Sequence, residues 1–430
     1  MTDVYELLRH AALQHLQDHD LDLSNRGEIR SLLTHLVETY QVDAISGRGQ
    51  RPLHDTEAMI DRLTRSLLDY GPLTPFLDGS IDYEELIVHG DQVRFIDSAG
   101  RLVAHSEPVS EAEVGHVVSK LLASVGAAVD DSHPMAQVQV LGGKARLGVV
   151  IPPIADRIDV TLRRYRTRRE TFAELVGWQA ISVEAASLLT AMLRTPTGIV
   201  VSGQPSAGKT TLINALLRAA PASLRVIACE DTPELSVDHI NAARWRTRPA
   251  GPDGLGRVSL RDLVRLSLGM RPDLLVVGEV RGGEALELTR AGNAGCGMLS
   301  TIHANGARQG LQALVSTACM AGPNVTAEQV RHVFSSVVDL VVHVAKEPLS
   351  ATNDGVGGRR QVMEVLAVPP LQSVDIDFTV EPIFVRDDFG LPLQWTGTPL
   401  PAELEQRIDR SLRPLGTSSK QLLEGRRSLL

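Results

Sequence analysis

The chain is poor in cysteine, aromatic residues, positive charge and long apolar runs. Its 430 residues include only three cysteines, Cys229, Cys296 and Cys319. So few thiols, odd in number and far apart, argue against a disulfide framework or a zinc site and suit reduced thiols. Aromatic residues make up 3% of the chain and the formal net charge is −9, leaving little for base stacking or broad phosphate-backbone binding. Nucleic acid is therefore not expected as a partner. No stretch approaches the roughly 18 consecutive apolar residues that cross a bilayer. The first residues, Met1 to Glu6, are acidic where a secretory signal would be basic and then apolar, so a cytoplasmic location is expected.

What is present is globular: 43% of residues are hydrophobic, and the length predicts two or three units. Apolar residues at helical spacing (Leu7, Leu8, Ala11, Ala12, Leu16; Ile29, Leu32, Leu33, Leu36) and a segment over 55–69 predict a helical N-terminal part, 1–69. Residues 70–165 predict a small α+β domain. A hairpin is expected around His89-Gly90-Asp91, then a helix from Glu111 to Val125 and strands near 137–140, 145–151 and 159–163. A charged linker, 166–178, follows. Over 179–350 apolar strands alternate with helices, the signature of a parallel sheet covered on both faces. Residues 351–430, with a Gly-rich break at Gly355 to Gly358, are expected as a C-terminal extension.

Four clusters carry chemistry. Gly203-Gln204-Pro205-Ser206-Ala207-Gly208-Lys209-Thr210 fits G-x-x-x-x-G-K-[ST], between an expected strand and helix. Its amides would cradle phosphates, Lys209 would reach the β and γ oxygens, and the Thr210 hydroxyl would ligate Mg²⁺. Thr211 follows in the same turn. Glu230-Asp231-Thr232-Pro233-Glu234 closes a second strand, where Glu230 or Asp231 could hold Mg²⁺ or its waters. The alternative is a solvated acidic turn. Asp273-Leu274-Leu275-Val276-Val277-Gly278-Glu279 ends in a carboxylate placed to orient an attacking water. Gly278 stands where many NTPases carry Asp, which moves metal binding toward Glu230 or Asp231. Ser300-Thr301-Ile302-His303-Ala304-Asn305 ends in a histidine that could report on the γ-phosphate, although a lone histidine there is more often structural. Arg163, Arg164 and Arg166 could act as arginine fingers, or could form a solvated basic edge.

The order of these clusters resembles the secretion-superfamily ATPases, in particular the CpaF/TadA branch of tight-adherence pilus and type II/IV secretion motors. The resemblance spans about 65–345. It includes Tyr70-Gly71-Pro72-Leu73, Val88-His89-Gly90, Ile151-Pro152-Pro153, Thr161-Leu162-Arg163-Arg164, Met270-Arg271-Pro272-Asp273 and the run from Val277 to Ala285. It implies a RecA-like P-loop motor domain behind a smaller α+β domain, assembled as a homo-hexamer that hydrolyses ATP with Mg²⁺. The Glu230 segment would be the family's Asp box, Glu279 its Walker B glutamate and His303 the second histidine of its His box. Arg146, Arg163 and Arg164 would approach the nucleotide. The implied partner is a polytopic inner-membrane platform protein, which would hold the ring at the inner face of the cell membrane. A conjugation-like type IV secretion ATPase and an ATP-binding scaffold with weak hydrolysis are the alternatives. Two departures bear on turnover. Ala294-Gly295-Cys296-Gly297 lacks the first His-box histidine, and Gly269 stands where the family commonly has arginine.

Overall fold

The computed structural model describes residues 4–19, 25–48, 51–98, 100–165, 170–248, 250, 255–348, 358–371 and 377–430. Arg166 and the glycines at 355 and 357 of the expected break lie outside the described residues. The chain divides into two compact units, Met1–Tyr165 and Arg166–Leu430.

The first unit opens with helices α1 (Val4–His19), α2 (Arg26–Ile45), α3 (Thr56–Leu68) and the short α4 (Thr74–Leu77). Asn25 and Asp55 cap α2 and α3 by accepting from the Glu28 and Ala58 amides, which fixes where each begins. Tyr5, Leu8, Ile29, Leu33 and Leu63 from α1 to α3 form a separate apolar cluster. Strands β1 (Glu85–His89), β2 (Gln92–Ile96) and β3 (Leu102–Ala104) precede helix α5 (Glu111–Ala123). Strands β4 (Met135–Val140), β5 (Ala145–Val150) and β6 (Asp159–Arg164) complete the unit. The sheet runs β3-β2-β1-β6-β5-β4, with antiparallel neighbours throughout. Burial alternates along β5, so one face packs on α5 through Leu147, Val149, Val118 and Leu122. A Ser110–Glu113 capping box starts α5. Lys120 on α5 donates to the carbonyls of Leu68 (3.1 Å) and Asp69 (2.8 Å), tying the sheet layer to the helices before it.

The second unit starts with α6 (Phe172–Gly177) and α7 (Val183–Met192), followed by β7 (Gly198–Gly203) and α8 (Lys209–Ala219). Then come β8 (Val226–Glu230), β9 (Ala242–Arg246), α9 (Leu260–Leu268), β10 (Leu274–Val277) and α10 (Glu284–Asn293). They lead into β11 (Gly297–His303), α11 (Ala307–Cys319), α12 (Ala327–Val337) and β12 (Leu340–Lys346). The chain ends with β13 (Arg360–Ala367), β14 (Glu381–Val385), β15 (Gln394–Trp395), α13 (Ala402–Leu412) and α14 (Ser419–Leu423).

The sheet order is β15-β14-β13-β12-β7-β11-β10-β8-β9, parallel from β12 to β9 and antiparallel from β13 to β15. Strand β7 is buried along its whole length and feeds two layers: Ile199 and Val201 face α7, α8, α13 and α14, whereas Val200 faces α9 to α12. This is the RecA-like α/β arrangement, and the parallel order from β12 to β9 places the C-terminal ends of those strands on one edge. The residues after 350 differ from a simple appendage. Their strands extend the motor sheet beyond β12, and α13 and α14 cover one of its faces. The three cysteines are free, with Cys229 buried in β8. Burial pushes the Cys229 thiol up to about 12.

Candidate nucleotide site

The P-loop sits where β7 emerges from the sheet. Gly208 has φ +103°, a conformation that L side chains rarely adopt, and α8 begins at the next residue. A Cβ at Gly203 would lie 2.3 Å from the Val344 carbonyl, so only glycine lets β7 and β12 approach this closely. The loop's second glycine is thus needed for its backbone angle and the first for its neighbour.

Lys209 is buried, and its ammonium donates to the carbonyls of Gly203 (2.9 Å) and Gln204 (3.0 Å). It also meets His303 Nδ1 at 3.1 Å. A lysine ammonium can only donate, so Nδ1 is the acceptor and Nε2 carries the ring proton. His303 Nε2 lies 2.7 Å from Glu279 Oε1, while the other carboxylate oxygen accepts from Arg281 Nη2 at 2.7 Å. The Nε2–Oε1 contact is close in distance but off the hydrogen-bond direction, and Oε1 is a buried acceptor with no hydrogen-bond donor. Burial disfavours the Glu279 anion, but the Arg281 hydrogen bond and charge, with His303 and Lys209, outweigh it. The carboxyl is held below its usual range. At neutral pH Glu279 is therefore an anion whose buried Oε1 lies against His303 without a hydrogen-bond donor. Gln204 donates to Asn305 Oδ1 at 3.0 Å, joining the P-loop to the segment that follows His303.

The acidic turn is arranged differently from expectation. Glu230 is 3% exposed, and its Oε1 accepts from the amides of Glu234 (2.9 Å) and Leu235 (2.8 Å). Burial, with the neighbouring Glu234, raises its carboxyl to about 7 against two lowering amide bonds. Its first visible task is to fold the turn. That turn delivers Glu234, which accepts from the Thr210 hydroxyl at 3.1 Å. Glu234 was legible only as part of an acidic run; nothing in its spacing singled it out. Asp231 is half-buried and acts electrostatically on Arg281. Thr210 and Glu234 offer hard oxygen donors beside the P-loop. This fits Mg²⁺, which takes one or two protein oxygens alongside phosphates and water.

Beside the end of the P-loop lies a cavity of about 270 Å³. Ala207, Gly208, Thr211 and Leu212 form one side; Leu175, Trp178 and Ile181 from the α6–α7 region form another. Val344, Gly358, Arg359, Arg360 and Val362 close it. Thr211 was expected at the site from its place in the turn. The α6–α7 and β13 residues were not, because they are far from the P-loop in sequence.

The three arginines expected near nucleotide belong to the first unit. Arg146 on β5 is the cross-strand partner of Arg163 on β6, and Arg146 donates to Gln137. Arg163 is exposed, whereas Arg164 lies over the Tyr83 ring at 5.8 Å. Gly269 ends α9, and Gly295 turns the chain into β11 with φ +79°.

The chain also resembles known proteins. The family model described as "Type II/IV secretion system protein" matches residues 123–373, more than half of the chain. A candidate conjugal transfer protein of Mycobacterium tuberculosis is 31% identical over 322 residues, covering 73% of this chain and 89% of that protein. The conjugal transfer protein TrbB of Rhizobium radiobacter is 28% identical over 289 residues, covering 66% and 83%. Among solved structures, the VirB11 ATPase of the Brucella suis type IV secretion system matches at 25% identity with a TM-score of 0.36. That match covers 69% of this chain and 95% of that one. The chain belongs to the type II/IV secretion system ATPase family.

Proposed function

We propose that this protein is a Mg²⁺-dependent ATP-hydrolysing motor, with Glu279 orienting and polarising the attacking water. The observation that carries this reading is the convergence of Lys209, at the start of α8, with His303, at the end of β11, and Glu279, just after β10. Bound γ-phosphate oxygens would draw Lys209 from the carbonyls of Gly203 and Gln204, and His303 would move with it. That movement would uncover Glu279 Oε1, which is ionised and lies against His303 without a hydrogen-bond donor, to accept from a water. Magnesium, when bound with ATP, offsets charge on the β- and γ-phosphates; Thr210 and Glu234 are the residues nearest that role, with Asp231 close by. The cavity beside Thr211 would receive the nucleoside.

By analogy with the family, the working form is a homo-hexamer in which Arg146, Arg163 and Arg164 reach nucleotide at a domain or subunit boundary. It would act at the cytoplasmic face of the membrane on an inner-membrane platform protein. Among the described residues no helix is long and apolar enough to cross a membrane. Within the family, the tight-adherence pilus branch rests on the motifs between Tyr70 and Asn305.

The test is phosphate release by the purified, assembled protein beside Glu279→Gln and Lys209→Ala. The expected outcome is a loss of about 10²–10⁴-fold in kcat for Glu279→Gln with ATP affinity kept, and loss of binding for Lys209→Ala. Wild type no faster than both variants, with platform protein supplied, would exclude a motor and favour a nucleotide-binding scaffold.

A second reading, transfer through a type IV system, is favoured by the relatives named for conjugal transfer. DNA binding with a steep salt dependence would support it. Stimulation by a pilus platform protein without DNA affinity would count against it.

A further inference from the structure

Helix α11 follows directly from the His303–Asn305 segment, yet its N-terminus has no cap of its own. Gly306 occupies the cap position and supplies no side chain. The first helical amide, on Ala307, is buried and one of the donors a helix leaves unpaired. It donates instead to Glu364 Oε1 at 2.7 Å, a carboxylate on β13 in the segment after residue 350. A carboxylate there also complements the positive end of the helix dipole. The next residue, Arg308, donates to the Phe378 carbonyl at 2.9 Å, so the first two residues of α11 are both held by the C-terminal segment.

The same point is tied to the P-loop strand. Glu364 lies cross-strand from His343 on β12, and His343 lies beside Ser202 on β7. Ser202 Oγ and His343 Nδ1 are 3.0 Å apart, both side chains buried. Helix α11 presses on that serine at Gly310, where a Cβ would come within 2.9 Å of Ser202 Cβ. The start of α11 is therefore clamped between β7 and β13, and the segment it anchors carries His303 to Lys209 and Glu279.

We propose that Glu364 is a positioning residue for hydrolysis: it fixes the N-terminus of α11 and thereby holds His303 in register with Glu279 and Lys209. The inference rests on the hydrolytic reading above. Its action runs through the helix it anchors: Glu364 Oε1 accepts from the Ala307 amide, four residues beyond His303.

The test uses the full-length protein. Glu364→Ala should lower kcat about tenfold, since small misplacements of reacting groups are costly, while ATP affinity stays within about twofold. Glu364→Gln keeps an acceptor for the Ala307 amide and should restore at least about half the rate. Ala307→Pro removes the donor at the first helical position, where proline is tolerated, and extended Gly306 suits the residue before it. Added to Glu364→Ala, it should cost less than about twofold more, because both changes remove one bond. Amide exchange over residues 303–310 should speed up in Glu364→Ala but not in Glu364→Gln, which can be read whether or not the protein hydrolyses ATP. Wild-type kcat in Glu364→Ala, an equal loss in ATP affinity, a Gln variant as slow as the Ala variant, or unchanged exchange would each overturn the proposal. Absence of hydrolysis by wild type would instead overturn the hydrolytic reading, leaving the exchange result to decide this one.

Discussion

The two sheets place their polar side chains by different rules. In the first unit's sheet the choice is between faces: β5 alternates, with Ala145, Leu147 and Val149 inward and Arg146 on the other side. In the central parallel strands of the motor sheet both faces are covered, so the choice is between middle and end. Strands β7, β8 and β10 are buried at every position, and the charged groups gather where the strands stop. A functional residue in the first sheet is recognised by parity; in the central parallel strands of the second, by position along the strand.

The largest break in this contrast should come from the middle of a motor strand. Leu299→Ala, at a fully buried position of β11, is expected to cost about 2–5 kcal/mol, measured as the unfolding free energy of the second unit. A loss under about 1 kcal/mol would mean the sheet is less tightly packed than described.

Glu230 sharpens the comparison, being a carboxylate at a strand end yet buried. Its carboxyl is raised from an ordinary 4.5 to about 7. Between these values the folded protein keeps a proton that the unfolded chain has lost, so stability falls as pH rises through the window. Glu230→Gln accepts the same amides without titrating. In magnesium- and nucleotide-free buffer, its stability relative to wild type should rise by up to about 3 kcal/mol between pH 4 and pH 8. Equal urea midpoint differences at both pH values would contradict a shifted Glu230.

A smaller effect is expected from Glu234→Ala, which leaves the Thr210 hydroxyl without its acceptor. The Mg²⁺ concentration needed for half-maximal hydrolysis should rise several-fold, with folding changed by about 1 kcal/mol or less. The smallest effect on stability belongs to Arg163→Ala. This exposed residue should shift unfolding by no more than about 0.5 kcal/mol, so any fall in ATP turnover would report a role with nucleotide.

Much of this was legible in the chain itself. Solid apolar runs such as Ile199-Val200-Val201 announce doubly covered strands, and the glycine-lysine-threonine turn announces its helix. The hairpin of β1 and β2 and the capped α5 follow from alternation and from Ser110 with Glu113. Less visible were features created by distant pairing. Strand β9 has Ala242, Ala243 and two arginines in five residues, a pattern that does not advertise a strand. Strands β13 to β15 read as an extension because their apolar residues are interrupted by Glu364, Glu381 and Pro382, each placed by a neighbouring strand. Likewise, Glu230 and Glu234 are alike in sequence, and only the folded turn separates the one that is buried from the one that meets Thr210.

The register of β7 has a consequence for how the chain acquires its activity. The strand leading to the P-loop is flanked by Gly297–His303 on one side and Leu340–Lys346 on the other, both synthesised long after it. Closing such loops costs chain entropy before any pairing rewards it, so this centre is expected to form late during folding. A nascent chain that has displayed Lys209 and Thr210 but not yet residue 346 has the phosphate loop without its supporting walls. Nucleotide capture would then require the chain as far as Lys346, so ATP binding would report that both strands flanking β7 have been made and paired.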